Sequence, residues 1–192
     1  MDREGKAQDA VAHYRSYLER VAQQHQDRPA PDLMVGIVLR MAACQARASQ
    51  PQAAIKSYRM AEKLAHQTGL AKLESVADVN RAQLEGKDGN INEALQAYRA
   101  ALALDDATGD PAASAVDWFA YGQFLGQSGF SAMMTYACLL KSESLGQSLP
   151  DKRTLASIVE ARQNLEKRLG KEAPTIRRNL DTALQDALRV QR

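Results

Sequence analysis

Apolar residues recur every three to four positions along almost the whole chain. This spacing places them on one face of a helix. No segment long enough to form a strand alternates apolar and polar residues with the period of two that a half-buried strand requires. The pattern predicts an all-α protein, with helices over about residues 6–26, 33–48, 52–67, 71–86, 91–107, 112–127, 131–145 and 151–169, and a last one after Pro174.

The predicted helices recur as pairs at an interval of 40 residues. Thr68-Gly69 aligns with Thr108-Gly109, and Tyr58 aligns with Tyr98. A third set of aligned positions carries small residues: Ala42, Ala82 and Gly122. A fixed period of this length indicates that one helical hairpin has been copied about three times.

Residues that start helices support these boundaries. Two prolines in residues 28–32 interrupt the first pattern, and Asp32 is placed to cap the helix that follows. Asn90 and Glu93 have the spacing of a capping box. Asp110 precedes Pro111, which predicts an aspartate cap followed by a proline in the first turn.

These hairpins resemble the tetratricopeptide repeat. The resemblance lies in Trp118-x2-Tyr121-Gly122-x2-Leu125 on a first helix, and in Ala54-x3-Tyr58-x2-Ala61 and Ala94-x3-Tyr98-x2-Ala101 on second helices. The 40-residue period is longer than the usual one and is similar to that of kinesin light chain and the LGN-type adaptors. The last repeat departs from the pattern, with Met134, Cys138 and Lys141 at the small, aromatic and small positions.

The resemblance implies a right-handed α-α superhelix, a solenoid of antiparallel helix hairpins. The expected layout is a single domain with a half-repeat or cap helix, three repeats and a C-terminal pair of capping helices, at residues 1–30, 31–69, 70–109, 110–148 and 149–192. The tail helices are expected to pair and to seal the exposed core of the last repeat.

Composition narrows the class of protein without identifying it. The 192 residues are 45% hydrophobic and 25% charged, and no run of eighteen apolar residues occurs. The N-terminus also lacks the apolar segment of a signal peptide. As given, the chain is expected in the cytoplasm, or outside it or on a membrane if an N-terminal segment has been removed.

Net positive charge is concentrated in the C-terminal part of the chain. The chain has a net charge of +2, yet residues 150–192 hold ten Lys/Arg against six Asp/Glu. A solvated capping segment is the simpler interpretation, and contact with an acidic partner is the alternative. Binding to nucleic acid is not expected, because no aromatic residues are interleaved with these charges.

The amino-acid sequence contains no motif typical of a catalytic or metal-binding site. Cys44 and Cys138 lie 94 residues apart and outside any C-x-x-C motif, so both are predicted to be buried core residues. His13, His25 and His66 are isolated on separate predicted helices. We therefore expect no enzyme activity, no metal site, no cofactor and no small-molecule substrate.

The resemblance also implies where a partner would bind. In the family the first helix of each hairpin lines a concave face, and positions four apart on it project the same way. Three rows follow from this: Leu39, Val79 and Phe119; Ala43, Gln83 and Gln123; and Arg47, Lys87 and Gln127. Arg40 and Asn80 lie beside the first row.

The predicted function is a protein-binding scaffold or adaptor whose concave face holds a peptide with apolar anchors and some acidic character. The apolar row has a second interpretation, as core between neighbouring hairpins. The Lys, Arg and Asn set that some members use to clamp a terminal carboxylate is missing, so an EEVD-type tail is not predicted as the ligand. Two other functions stay open: a self-associating module that uses the unpaired first helix, and a regulatory fragment of a larger enzyme or signalling protein.

Overall fold

The computed structural model describes residues 3–23 and 29–191, and every regular element within these ranges is helical. The α-helices, in order, are α1 Arg3–Gln23, α2 Pro31–Arg47, α3 Pro51–Thr68, α4 Ala71–Lys87, α5 Ile91–Thr108, α6 Pro111–Gln127, α7 Ala132–Leu145, α8 Lys152–Leu169, α9 Ala173–Arg178 and α10 Leu180–Arg189. The all-α prediction is confirmed. His25 and the predicted end of the first helix lie outside the described residues.

The helix starts confirm one predicted cap and correct two. The Asp110 carboxylate accepts hydrogen bonds from the backbone N–H groups of Ala112 and Ala113 at 3.1 and 3.2 Å, as predicted. Asn90 caps nothing with its side chain, because its amide donates to the buried Glu85 carboxylate at 2.7 Å. Asp32 lies inside the first turn of α2, since that helix begins earlier, at Pro31.

Each hairpin packs against the next, so the chain forms an all-α solenoid. The pairs are α2 with α3, α4 with α5, and α6 with α7, while α1 packs against α2 as a half-pair. Aromatic rings join the last two pairs, because the Tyr98 ring lies 5.5 Å from that of Tyr121 and 5.2 Å from that of Phe124, centroid to centroid. Stacking thus buries faces that an isolated hairpin would leave exposed.

The tail packs onto the last hairpin through α7. Asn179 separates α9 from α10, so the predicted second tail helix is two helices, and α8, α9 and α10 each contact α7. The Tyr121 hydroxyl donates to the carbonyl of Ala187, and Arg177 Nε donates to the Tyr136 hydroxyl at 3.0 Å. These contacts cover the end of the solenoid's core.

Close approach of α6 and α7 depends on Gly122. A Cβ atom at this position would lie 3.0 Å from the Cβ of Cys138, which is closer than side chains tolerate without a shift. Gly36 lies in α2 with no such neighbour, since a Cβ there would meet no atom within 4 Å. Identical substitutions at these two helical glycines therefore probe packing and helix propensity separately.

We expect Gly36→Ala to raise the free energy of unfolding by about 0.5–1 kcal/mol, because alanine loses less backbone entropy in a helix. Gly122→Ala should lower it by about 1 kcal/mol, because overpacking against Cys138 outweighs the same gain. Urea unfolding followed by circular dichroism measures both. Stabilisation by both substitutions would contradict the proposed close packing of α6 on α7.

Candidate functional site

Two adjoining cavities lie along α6 and form what we call the front groove. Their volumes are about 290 and 380 Å³, and both are lined by Gln123 and Gln127. These two side chains stand one turn apart on α6 and are exposed. The front groove therefore runs from α4, across α6, to α8.

The first cavity lies between α4 and α6. Gln83 and Lys87 project from α4, and Tyr98 of α5 and Phe124 of α6 contribute aromatic surface. Gly86 leaves room for the Phe124 ring, because a Cβ at residue 86 would lie 2.7 Å from it. The cavity thus combines an aromatic lining with exposed amide and ammonium groups.

The second cavity lies between α6, α7 and α8. Phe130, Leu139 and Leu165 give it apolar walls, and Asn164 and Arg168 of α8 add polar groups. An ion pair fixes α8 against α7: Arg162 Nε and Nη2 lie 2.7 and 3.2 Å from the two carboxylate oxygens of Glu143. Such two-point pairing sets orientation as well as distance, so α8 is held where it can form the wall of the cavity.

The lining of the front groove carries positive charge. Lys87 and Arg168 are its cations, and among the described residues that line either cavity there is no Asp or Glu. Both cations are exposed. A ligand in the groove would therefore meet cations and amides, with no carboxylate in the described lining to repel its own negative charge.

The structure brings four of the predicted partner-binding residues together. Gln83, Lys87, Gln123 and Gln127 all line the front groove. The four from α2 line neither cavity: Leu39, Arg40, Ala43 and Arg47. One of these, Arg47, donates a hydrogen bond to Cys44 Sγ at 3.1 Å.

The predicted apolar row takes part in packing between elements. Val79 is only 6% exposed and belongs to the main core, the largest apolar cluster, which joins α4 to α7 with the tail helices. The half-buried Leu39 packs against a cluster around Val38, and the half-buried Phe119 packs against one around Ile158. Asn80, beside this row, donates its amide to the carbonyl of Val76 at 2.7 Å. These contacts match the second interpretation of the row, as core between hairpins.

Sequence reasoning overlooked an exposed apolar pair on the first helices. Val76 and Val116 are 46% and 40% exposed and lie 40 residues apart at matching positions of α4 and α6. Each precedes a glutamine of the front groove, Gln83 or Gln123, by seven residues, which is two helical turns on the same face. The helical period counted backwards from the two glutamines would have found them.

The two cysteines are buried, as predicted. Burial raises the pKa of the Cys138 thiol, which keeps it protonated and unreactive. In the described parts of the chain no group of three His, Cys, Asp or Glu side chains could hold a metal ion. No helix in those parts is long and apolar enough to cross a membrane.

A buried carboxyl pair lies at the junction of α4, α5 and α6. Ser75 Oγ lies 2.9 Å from Asp105 Oδ1 and 2.9 Å from Asp117 Oδ2, and all three side chains are buried. Burial and the neighbouring Asp105 raise the pKa of Asp117 to about 8, and burial also raises the pKa of Asp105. The two carboxyl groups therefore share a proton, as closely spaced carboxyls do.

A solved structure is similar to this chain over nearly its whole length. It is the crystal structure of BtubC (BKLC) from P. vanneervenii, with a TM-score of 0.74 and 18% sequence identity. The match covers 98% of this chain and 77% of that one. At this identity the likeness shows the fold, that of a helical repeat protein, and nothing of the function. No protein-family model and no curated protein matches the chain.

The shared proton predicts that stability depends on pH. The pKa of Asp117 is higher in the folded chain, about 8, than its ordinary value of 3.8, so between these values the native state binds more protons than the unfolded state. The free energy of unfolding should fall as pH rises from about 4 to 8, by at most about 1.4 kcal/mol per pH unit for one proton.

Asp117→Asn should flatten this slope, because an amide can donate to Asp105 without requiring a bound proton. Urea midpoints measured at pH 5, 6.5 and 8 for both chains test it. Asp78, whose pKa is raised to about 7 chiefly by burial, gives both chains a common background slope. Parallel pH profiles would contradict a shared proton at Asp117.

Proposed function

We propose that this chain is a non-catalytic scaffold that binds an extended, acidic peptide segment of a partner protein in the front groove. The observation that carries the proposal is the lining of that groove. Two joined cavities present Lys87 and Arg168 with no carboxylate among their described lining residues. Complementary charge of this kind speeds association and excludes basic partners.

The exposed glutamines suit a ligand in extended conformation. Gln83, Gln123 and Gln127 each carry a side-chain amide, which can donate to and accept from a peptide backbone whose own groups are unpaired. Their positions along one side of α4 and α6 offer several such contacts in succession. Backbone contacts favour extended segments without selecting their sequence, so charge and apolar anchors would supply the selectivity.

Apolar surface beside these groups provides for anchors. The second cavity has walls of Phe130, Leu139 and Leu165, and its volume of about 380 Å³ admits a large side chain. Val76 and Val116 add exposed apolar surface two turns away on the same face. Large apolar side chains inserted into such pockets supply much of the affinity of peptide complexes.

The helical repeat fold is consistent with the proposed binding of a peptide. The chain resembles tetratricopeptide repeats of long period, a family that implies peptide binding by the first helices, and its fold is similar to that of the helical repeat protein BtubC. The residues of α2 in the predicted rows play a smaller part in this proposal, because they lie outside the two cavities.

Reversing the two cations should weaken binding of an acidic ligand. We expect the double variant Lys87→Glu and Arg168→Glu to bind acidic peptides at least about tenfold less tightly, because attraction becomes repulsion at both cavities. The probe is a set of fluorescein-labelled twelve-residue peptides of Glu, Asp, Leu and Phe, measured by fluorescence anisotropy at low salt against versions with Gln and Asn in place of the acids.

The matched control is Lys63→Glu with Lys152→Glu, which changes the net charge equally at exposed lysines that line neither cavity. The control should bind acidic peptides nearly as tightly as the unmodified chain. Equal loss in both double variants would mean that overall charge governs binding. No preference for acidic over amide peptides would refute the proposed ligand class.

A further inference from the structure

The tail shows how this solenoid seats an amphipathic helix on the side formed by its second helices. The helix α10 contacts α7 and buries Ala183, Leu184 and Ala187 in the main core. Its last carbonyls are held from two sides: the Tyr121 hydroxyl donates to Ala187 O, and Arg99 donates to Val190 O. The seat is therefore a groove between α5 and α7 with α6 as its floor.

The first hairpin has a matching groove. Two hairpins earlier, a cavity of about 450 Å³ lies between α1 and α3, with α2 as its floor. We call it the rear groove, and its lining is Arg15, Leu18, Glu19, Ala22, Met41, Gln45, Ala53, Lys56 and Ser57. No segment of residues 3–23 or 29–191 other than these three helices lines it.

Sequence comparison relates the two grooves. Met41 precedes Tyr121 by 80 residues, which is two repeat lengths. The pair Tyr14-Arg15 matches Tyr98-Arg99 at an offset of 84, because four more residues separate Arg15 from Met41 than separate Arg99 from Tyr121. Arg15 is thus the counterpart of the arginine that holds the end of α10. It is exposed and has no hydrogen-bond or ion-pair partner among the described residues.

The middle hairpin has ion pairs at the equivalent positions. Arg59, the third arginine of this series, pairs with Glu85 at 2.7 Å. Arg81, at the position of Met41 and Tyr121, lies 2.8 Å from Asp78 and 3.0 Å from Glu62. Ion pairs therefore occupy the site where the third hairpin holds α10.

Gln45 gives an independent indication that the rear groove takes a ligand. This floor residue is 4% exposed, and its Oε1 atom has no hydrogen-bond partner. Buried side-chain acceptors in native proteins almost always find a donor, because an unpaired one loses its hydration without compensation. A hydroxyl or amide on an incoming helix would supply that donor.

From this equivalence we propose that the rear groove binds the C-terminal part of an amphipathic helix of a partner protein. Arg15 holds the last carbonyls of that helix as Arg99 holds those of α10. The buried face of the helix carries small or branched apolar residues against Met41 and Leu18, and one polar donor for Gln45. This interaction is separate from peptide binding in the front groove and does not depend on it.

A peptide from this chain serves as the probe, because it contains the residues of α10, the helix that the equivalent groove of the third hairpin holds. Fluorescein-labelled peptide of residues 173–191 is titrated with the full chain, and anisotropy is recorded. We expect saturable binding that Arg15→Glu weakens about tenfold, since a carboxylate would repel the helix carbonyls. Ala53→Trp should abolish it by filling the cavity, with circular dichroism confirming that each variant is folded.

Arg20→Glu is the matched control, because it makes the same charge change on α1 at an exposed residue outside the cavity lining. It should bind like the unmodified chain. Lack of saturable binding would overturn the proposal. So would Arg15→Glu and Ala53→Trp variants that bind the peptide as tightly as the unmodified chain, because the peptide would then lie elsewhere. Sedimentation velocity tests a second copy as the occupant: dimers that dissociate in Arg15→Glu would overturn the assignment to a separate partner.

Discussion

The structure depends on the packing of small residues of each first helix against its second helix. Ala42, Ala82 and Gly122 are buried at this seam, where α2 meets α3, α4 meets α5 and α6 meets α7. Their size lets the backbones approach closely enough for aromatic rings beside them to be enclosed. Because each hairpin still has an apolar face left over, it must stack on the next, and a linear array follows from that requirement.

Buried polar groups make one junction of the array distinct from the others. Ser75, Asp105 and Asp117 replace apolar packing where α4, α5 and α6 meet, and the Ser75 hydroxyl lies within hydrogen-bond distance of both carboxyl groups. A polar cluster of this kind fixes the relative position of helices more narrowly than apolar contacts do. The helices it fixes, α4 and α6, carry the glutamines and the lysine of the front groove.

Divergence between equivalent positions gives the repeats different surfaces. Positions 41, 81 and 121 hold methionine, arginine and tyrosine. Met41 lines the rear groove, Arg81 forms ion pairs with Glu62 and Asp78, and Tyr121 contacts the chain's own tail. In the front groove, the cavity to which α8 adds a wall is the larger of the two, at about 380 Å³ against 290 Å³. A duplicated hairpin thus provides a common backbone arrangement, and single substitutions within it give each repeat a different surface.

The amino-acid sequence by itself determined the helices and their period. These features act over a few residues, so they can be identified without a structure: the apolar spacing, the prolines, the Asp110 cap and the Thr-Gly links. For the same reason, the helical period alone predicted that Gln83, Lys87, Gln123 and Gln127 share one face of the first helices. Only the tertiary structure decided that Val79 is buried while Val76 is exposed, because this depends on which neighbouring helix covers which side. Three other placements were also decided by the tertiary structure: Arg168 beside α6, α10 against Tyr121, and Asp105 beside Asp117. Each arises from contacts between residues separated in the sequence, which a local pattern of residues does not predict.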